Sequence, residues 1–375
     1  MTVKEYMASH RKDMVDLLRG LVVHESPTGD KKAVDDCSRF FLSRLAGLEH
    51  DLLRIPQKDI GDLYVVGYPR LSDLSPKPVL ILTHIDTVWP VGCIKDMPWR
   101  ALGSKLRGPG VLDMKAGLVI ALFALKALAG LSLRPRRPVM LFINSAEETG
   151  HPAAYRWIKR LALKSACVLC LEPALPDGSL KVRRKGRLVV SLRARGKAAH
   201  AGSPHLGANA LEEVILQLVS LADLRSRGTT MNIGFVSGGT QANVVPDSAR
   251  AVLDFRFRKE QDKDRILARL RALSPRIRGA KLQTAVESVT PPMERSHGSL
   301  ALFRTASRAA ARQGLHLKAG QTGGGSDASL AASLGLPTLD GLGAVGSGIH
   351  AESENVLLPS LPQRAALLAA LLAEL

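Results

Sequence analysis

Three short apolar runs, each giving way to acids or histidines, constrain this chain more than any other feature. Val79–Thr83 reads VLILT and is followed by His84 and Asp86. Val139–Ile143 reads VMLFI and leads to Glu147 and Glu148, and Cys167–Leu171 reads CVLCL and leads to Glu172. Short continuous apolar runs bounded by turn signals read as strands buried on both faces, as in a parallel sheet. Open parallel sheets present ligands in a crevice outside the carboxyl ends of their strands, so these runs deliver their acids and imidazoles to one place. Carboxylates crowded there repel one another unless positive charge sits between them. A pair of divalent metals answers that need.

The intervening sequence supports the same architecture. Between residues 61 and 172, strand signals at Leu63–Gly67 and at the three runs alternate with helical patterns at 116–129 and about Ala153–Leu163. That alternation predicts an α/β fold: a mostly parallel sheet covered by helices on both faces. Upstream, a helical pattern from Lys12 to about Leu45 is interrupted at Ser26–Gly29, a loop that caps a second helix. The apolar stretch Ala116–Ala129 is too short to span a bilayer and contains Lys126; it predicts a buried helix, with Gly130 in the helix-ending position.

After Pro173–Gly178 the character changes. Leu180–Arg195 alternates as one half-exposed strand with Leu188, Val190 and Leu192 on one face. Gly207–Leu224 reads as a helix, Thr229–Val236 and Ala249–Phe257 as strands, Glu260–Leu273 as a helix and Leu282–Val289 as a strand. This β-α-β-β-α-β order predicts a two-layer α+β domain. At 375 residues the chain is long enough for two domains. The smaller, 178–289, is expected as an insertion in a discontinuous larger one, 1–177 and 290–375.

Composition narrows the partners. The net charge is +18, yet the 52 Lys and Arg are spread along the chain and aromatic residues make up only 4%. Few stacking surfaces argue against nucleic acid, and long-range attraction of small anions is the functional reading of the charge. The N-terminal segment has no apolar signal core, so neither export nor a membrane anchor is expected. Cys167 and Cys170 lie inside an apolar run with no second pair nearby, which predicts buried thiols and a cytoplasmic location rather than a zinc knuckle.

Seven motifs stand in order: THIDTV (Thr83–Val88), GPGVLDMK (Gly108–Lys115), NSAEETG (Asn144–Gly150), LEP (Leu171–Pro173), GKAAHAG (Gly196–Gly202), GGGSD (Gly323–Asp327) and His350. Together they resemble the dizinc aminoacylase and glutamate carboxypeptidase family, which also holds acetylornithine deacetylase and succinyl-diaminopimelate desuccinylase. The Gly-rich stretch and the tail Leu339–Gly343 look most like the glutamate carboxypeptidase branch. The resemblance implies two Zn²⁺, replaceable by Co²⁺ or Mn²⁺, bridged by Asp113. His84 and Glu172 would complete one site, Glu148 and His350 the other. It further implies Asp86 as the partner of the His84 imidazole, Glu147 as general base and a cis peptide after Asp113. His200 would stabilise the oxyanion in the partner subunit of a homodimer formed by the inserted lid domain.

By the same resemblance Asn243, Arg256, Gly324 and Ser326 contact substrate, Arg256 as a fork for a carboxylate. The activity implied is release of a C-terminal amino acid, glutamate, from a small anionic N-acyl or peptidyl substrate. An N-acyl-amino-acid deacylase is the alternative, and a non-catalytic basic binding protein on a hydrolase fold is a third reading. His151, where the family more often has Ser, reads as a solvated loop histidine.

Overall fold

The apolar runs form the centre of a six-stranded sheet in the computed structural model, which describes residues 1–70, 76–226 and 228–375. Its strand order is Asp51–Ile55, Leu63–Tyr68, Val139–Asn144, Val79–His84, Cys167–Cys170 and Thr338–Leu339. The pairings of Val79–His84 with both neighbours, and of Cys167–Cys170 with Thr338–Leu339, are parallel. The other two pairings are antiparallel. Every residue of Leu63–Tyr68, Val79–His84, Val139–Asn144 and Cys167–Cys170 is buried, which is why these strands read as unbroken apolar runs. His84 lies opposite Asn144 in register, so the two runs end level and their following turns leave from the same edge. The α/β reading, with a mostly parallel sheet, is borne out. The strand Asp51–Ile55 was not expected; it lies at the sheet's edge with four of its five residues exposed, Leu52 and Leu53 among them.

The helix Ala116–Gly130 is buried on nearly all sides and packs against Ser360–Leu372. A helix apolar on nearly every side belongs in a core. Each buried Leu along it contributes roughly 1.5–3 kcal/mol by leaving water. Gly130 corrects one expectation: it is the last helical residue and is not left-handed. A Cβ there would lie 3.0 Å from the Tyr6 ring, so close packing is what calls for glycine at that position.

The chain divides into two compact units. The sheet just described belongs to Met1–Arg183, Arg295–Gln321 and Ser326–Leu375; the second unit is Arg184–Glu294 with Thr322–Gly325. Within the second, Gly186–Arg195, Ala210–Ser220, Thr230–Gly238, Ser248–Phe257, Glu260–Arg271 and Lys281–Thr290 follow in the order strand, helix, strand, strand, helix, strand. The strands form an antiparallel sheet, and Leu188, Val190, Leu192, Leu253 and Phe255 pack with Val214 and Ile266 of the helices. The expected single strand Leu180–Arg195 is in fact two, broken between Arg184 and Gly186. At Gly186 a Cβ would meet the Phe257 ring at 2.3 Å. The helix expected over Gly207–Leu224 starts later, where Asn209 caps it by accepting from the Leu211 and Glu212 N–H groups. Among the described residues no helix is long and apolar enough to cross a membrane.

Candidate metal centre

The sheet's carboxyl edge and three loops bring five of the predicted residues together. His84 ends its strand, and Glu172 follows Cys167–Cys170 by two residues. Asp113 arrives on a turn begun by Gly110, whose φ of 67° favours glycine and where a Cβ would press on Thr87 at 2.5 Å. The peptide between Asp113 and Met114 is cis. Glu148 follows Val139–Asn144, and His350 comes from the loop after Gly346–Ser347.

Asp113 faces two ways. Its Oδ1 lies 3.3 Å from His84 Nε2, which is also 3.6 Å from Glu172 Oε1. Its Oδ2 lies 3.4 Å from His350 Nε2, itself 3.3 Å from Glu148 Oε1. Donor atoms of His84, Asp113 and Glu172 converge within 4.8 Å of one another, as do those of Asp113, Glu148 and His350. These spacings exceed ordinary N–H···O hydrogen bonds of about 2.7–3.2 Å. They match a tetrahedral ion with bonds of about 2.0–2.2 Å, whose ligand atoms sit about 3.3–3.5 Å apart. Imidazoles and carboxylates are also the donor types that suit zinc, cobalt and manganese. The residues present therefore fit two cations sharing Asp113.

Electrostatics agree. Burial alone would push the His84 imidazole down, but the nearby carboxylates of Asp113, Asp86 and Glu172 hold it well above its ordinary value. Contact with Asp113 and Glu148 raises His350 to about 10. Burial would raise the Asp113 carboxyl, yet the two imidazoles hold it well below the usual range. Burial raises the Glu148 carboxyl. It raises Glu147 well above the carboxylate range, with repulsion from Glu172 and Asp327 adding to the effect. Burial, and the close approach of these imidazoles and carboxylates to one another, cause the shifts.

The family pattern described as peptidase family M20/M25/M40 matches residues 80–374. The chain belongs to that family. Carboxypeptidase G2 of a Pseudomonas species (strain RS-16) is 29% identical over 373 residues, 96% of this chain and 89% of that protein. Succinyl-diaminopimelate desuccinylase of Pseudomonas syringae is 28% identical over 355 residues, 87% of this chain and 88% of that protein. The crystal structure of aminopeptidase PepT from Bacillus cereus superposes with a TM-score of 0.82 at 22% identity, covering 97% of this chain and 98% of that one. M20 enzymes are metal-dependent, and this chain is a metallo-hydrolase of that family.

In this M20 chain Asp86 differs in detail from its expected place. The His84 Nδ1–H donates to the Asp86 main-chain carbonyl at 3.0 Å, while the Asp86 carboxylate stands 3.5 Å away. That carboxylate instead accepts from Thr28 Oγ1 at 2.7 Å and from the Glu147 and Glu148 N–H groups at 3.2 Å each. Asp86 thus orients the ring through its backbone and the Glu147–Glu148 turn through its side chain.

Four residues went unassigned in the sequence. Thr28 is the first, on Asp86. Asn144 donates to Asp327 Oδ2 at 2.7 Å and accepts from the Ala146 N–H at 3.0 Å; buried Asp327 is raised to about 7. Fully buried Glu354 accepts from the N–H groups of Gly110 (2.9 Å), Leu112 (2.7 Å) and Asp113 (3.0 Å) and from Trp89 Nε1 (3.1 Å). It holds the turn that carries Asp113. Asn144 and Asp327 lay inside quoted motifs, Thr28 in the Ser26–Gly29 loop and Glu354 four residues past His350.

The second unit holds His200, Asn243, Arg256 and Gly324. His200 is exposed, its Nδ1 accepting from the Gly202 N–H at 3.0 Å, and it pairs with Val244 beside the exposed Asn243. The Asn243 carbonyl accepts from the Ala201 N–H at 2.9 Å, so these motifs meet. Arg256 places its fork on Asp254, Nε at 2.7 Å and Nη2 at 3.2 Å, with Nη1 on the Gly323 carbonyl at 3.2 Å. The Gly324 carbonyl accepts from Arg184 Nη1 at 3.2 Å. Ser326, in the sheet-bearing unit, is buried; it caps Asp327–Ser333 by accepting from Ala328 N–H and donates to Asp340 at 3.1 Å. His151 is no free loop residue: it caps Pro152–Leu163, its Nδ1 accepting from the Ala153 N–H at 3.3 Å.

Proposed function

We propose that this chain is a dizinc carboxypeptidase that releases a C-terminal glutamate from a small N-acyl or peptidyl substrate. One observation carries the reading. The two oxygens of Asp113 face two separate imidazole–carboxylate pairs, His84 with Glu172 and His350 with Glu148. When bound there, two cations supply Lewis-acid polarisation of the scissile carbonyl and lower the pKa of the attacking water.

Glu147 belongs to neither pair and sits beside both, and its raised affinity for a proton suits a general base. Its carboxylate takes the proton of the attacking water and delivers it to the leaving amide nitrogen. Asp86 keeps Glu147 in place through the Glu147 N–H. His200 donates to the developing oxyanion from the partner subunit of a homodimer joined through the second unit, which acts as the lid. Exposed Ile215, Val219, Phe235 and Val236 on that unit support such an interface. Asn243, Gly324 and Ser326 shape the substrate subsite, with Arg256 acting as part of a cluster with Asp254 and Arg187. The net charge of +18 suits an anionic substrate, and the free cysteines suit the cytoplasm.

A second reading, an N-acyl-amino-acid deacylase, is supported by the likeness to succinyl-diaminopimelate desuccinylase. Metal analysis with hydrolysis of a panel of acyl-amino acids, before and after chelation, separates the readings. The carboxypeptidase predicts two zinc per chain and a preference that follows the released glutamate. A preference that follows the acyl group would favour the deacylase. A protein that binds no zinc, cobalt or manganese and cleaves no member of the panel would overturn both.

A further inference from the structure

The turn at Pro176–Gly178, the segment Leu315–Leu317 and the start of the helix Ser360–Leu372 enclose a cleft of about 390 Å³. It lies wholly within the sheet-bearing unit and shares no lining residue with the metal centre. Its volume falls in the range of small-molecule sites, roughly 300–1,000 Å³. Leu315, Leu317, Val345 and Leu357 supply apolar walls. At its edge stands Arg364, only 5% exposed.

Arg364 is under-used for a buried cation. Its Nη2 donates to the Gly178 carbonyl, and its buried Nη1 has no hydrogen-bond partner among the described residues. A guanidinium carries five N–H donors, and leaving them unmet in a buried place is costly. Burial pushes the group down to about 10, partly offset by the charge of Asp177. Asp177 is engaged elsewhere, accepting from the Ser179 N–H at 3.0 Å and Oγ at 2.8 Å. Ser360 is engaged too, its Oγ donating to the Leu357 carbonyl at 2.7 Å. Among the described residues no acceptor meets Arg364 Nη1.

We propose that this cleft is a second small-molecule site, one that takes an organic oxyanion on Arg364 with the ligand's apolar body against Leu315, Leu317, Val345 and Leu357. The planar fork of a guanidinium matches carboxylate and phosphate alike. The site is independent of the hydrolytic reading. The probes are benzoate, phenyl phosphate and inorganic phosphate, titrated calorimetrically into the metal-loaded enzyme, its Arg364→Gln variant and its Leu315→Trp variant. Leu315→Trp fills the cleft while leaving the guanidinium intact, so the test survives a poorly folded Arg364→Gln.

The expected result is binding of benzoate or phenyl phosphate to the wild type that weakens on the order of tenfold to a hundredfold in Arg364→Gln. The same binding is blocked in Leu315→Trp. Whichever of the two binds tighter assigns carboxylate or phosphate. No binding to the wild type, or binding undiminished in both variants, would overturn the proposal. Inorganic phosphate binding as tightly as phenyl phosphate would overturn the assignment of an organic ligand.

Discussion

The two halves of the candidate metal centre are built differently although both contain Asp113. His84 and Glu172 stand on or next to central strands, and His84 is 1% exposed. Glu148 and His350 stand on loops, and the His350 side chain is 47% exposed. His350 also holds a φ of 59°, a left-handed conformation that costs a non-glycine residue of order 1–3 kcal/mol. One half is therefore fixed by the same burial that forms the sheet. The other depends on a loop held in place by its neighbours. A ligand set already held in its binding geometry loses less freedom when the ion arrives, so the strand-borne half should bind its cation more tightly.

The largest effect that probes this contrast falls on Glu147, which lies between the halves and belongs to neither. Glu147→Gln should lower kcat by about 10²–10⁴-fold while both cations remain at wild-type stoichiometry. Loss of a cation in that variant would make Glu147 a ligand and redraw the halves. A smaller effect is expected at Glu354, whose carboxylate gathers three N–H groups around Asp113. Because Asp113 serves both halves, Glu354→Gln should weaken both cations together, by about 10–100-fold. Selective weakening of one would show that Glu354 supports a single half.

The smallest effect is one of pH. With His350 raised to about 10 beside Asp113 and Glu148, the imidazole is protonated at neutral pH until a cation displaces the proton. Affinity of the loop-borne half should therefore fall as pH falls, by about tenfold per unit for each proton released. The sign reverses for the stability of the metal-free chain. A raised imidazole stabilises it fully below the unfolded value of about 6.5. That contribution is lost as pH rises toward about 10. Thermal unfolding of chelated protein across that window reads it, and stability rising with pH there would contradict the assignment.

Much of this was legible in the sequence because burial writes itself as pattern. The central strands are buried at every residue and so appeared as apolar runs with their ligands at the ends. The edge strand Asp51–Ile55, exposed at four of five residues, carries its apolar residues in a run broken by Arg54. The candidate ligands were legible because the types are few and came in ordered motifs. Their supports were not. Glu354 acts on backbone N–H groups about 240 residues away, and backbone donors leave no trace in a sequence. The Asp86 carboxylate likewise takes the N–H groups of Glu147 and Glu148, while its main-chain carbonyl meets the His84 ring. Arg256 looked like a free fork, but Asp254, two residues away on the same strand face, already fills it.

Titration of zinc into chelator-stripped protein, for the wild type and His350→Ala, tests the shared-Asp113 centre most directly. Two equivalents of unequal affinity are predicted for the wild type. His350→Ala should keep the tighter equivalent nearly unchanged and lose the weaker. A single equivalent in the wild type, or loss of the tighter one in His350→Ala, would contradict the account.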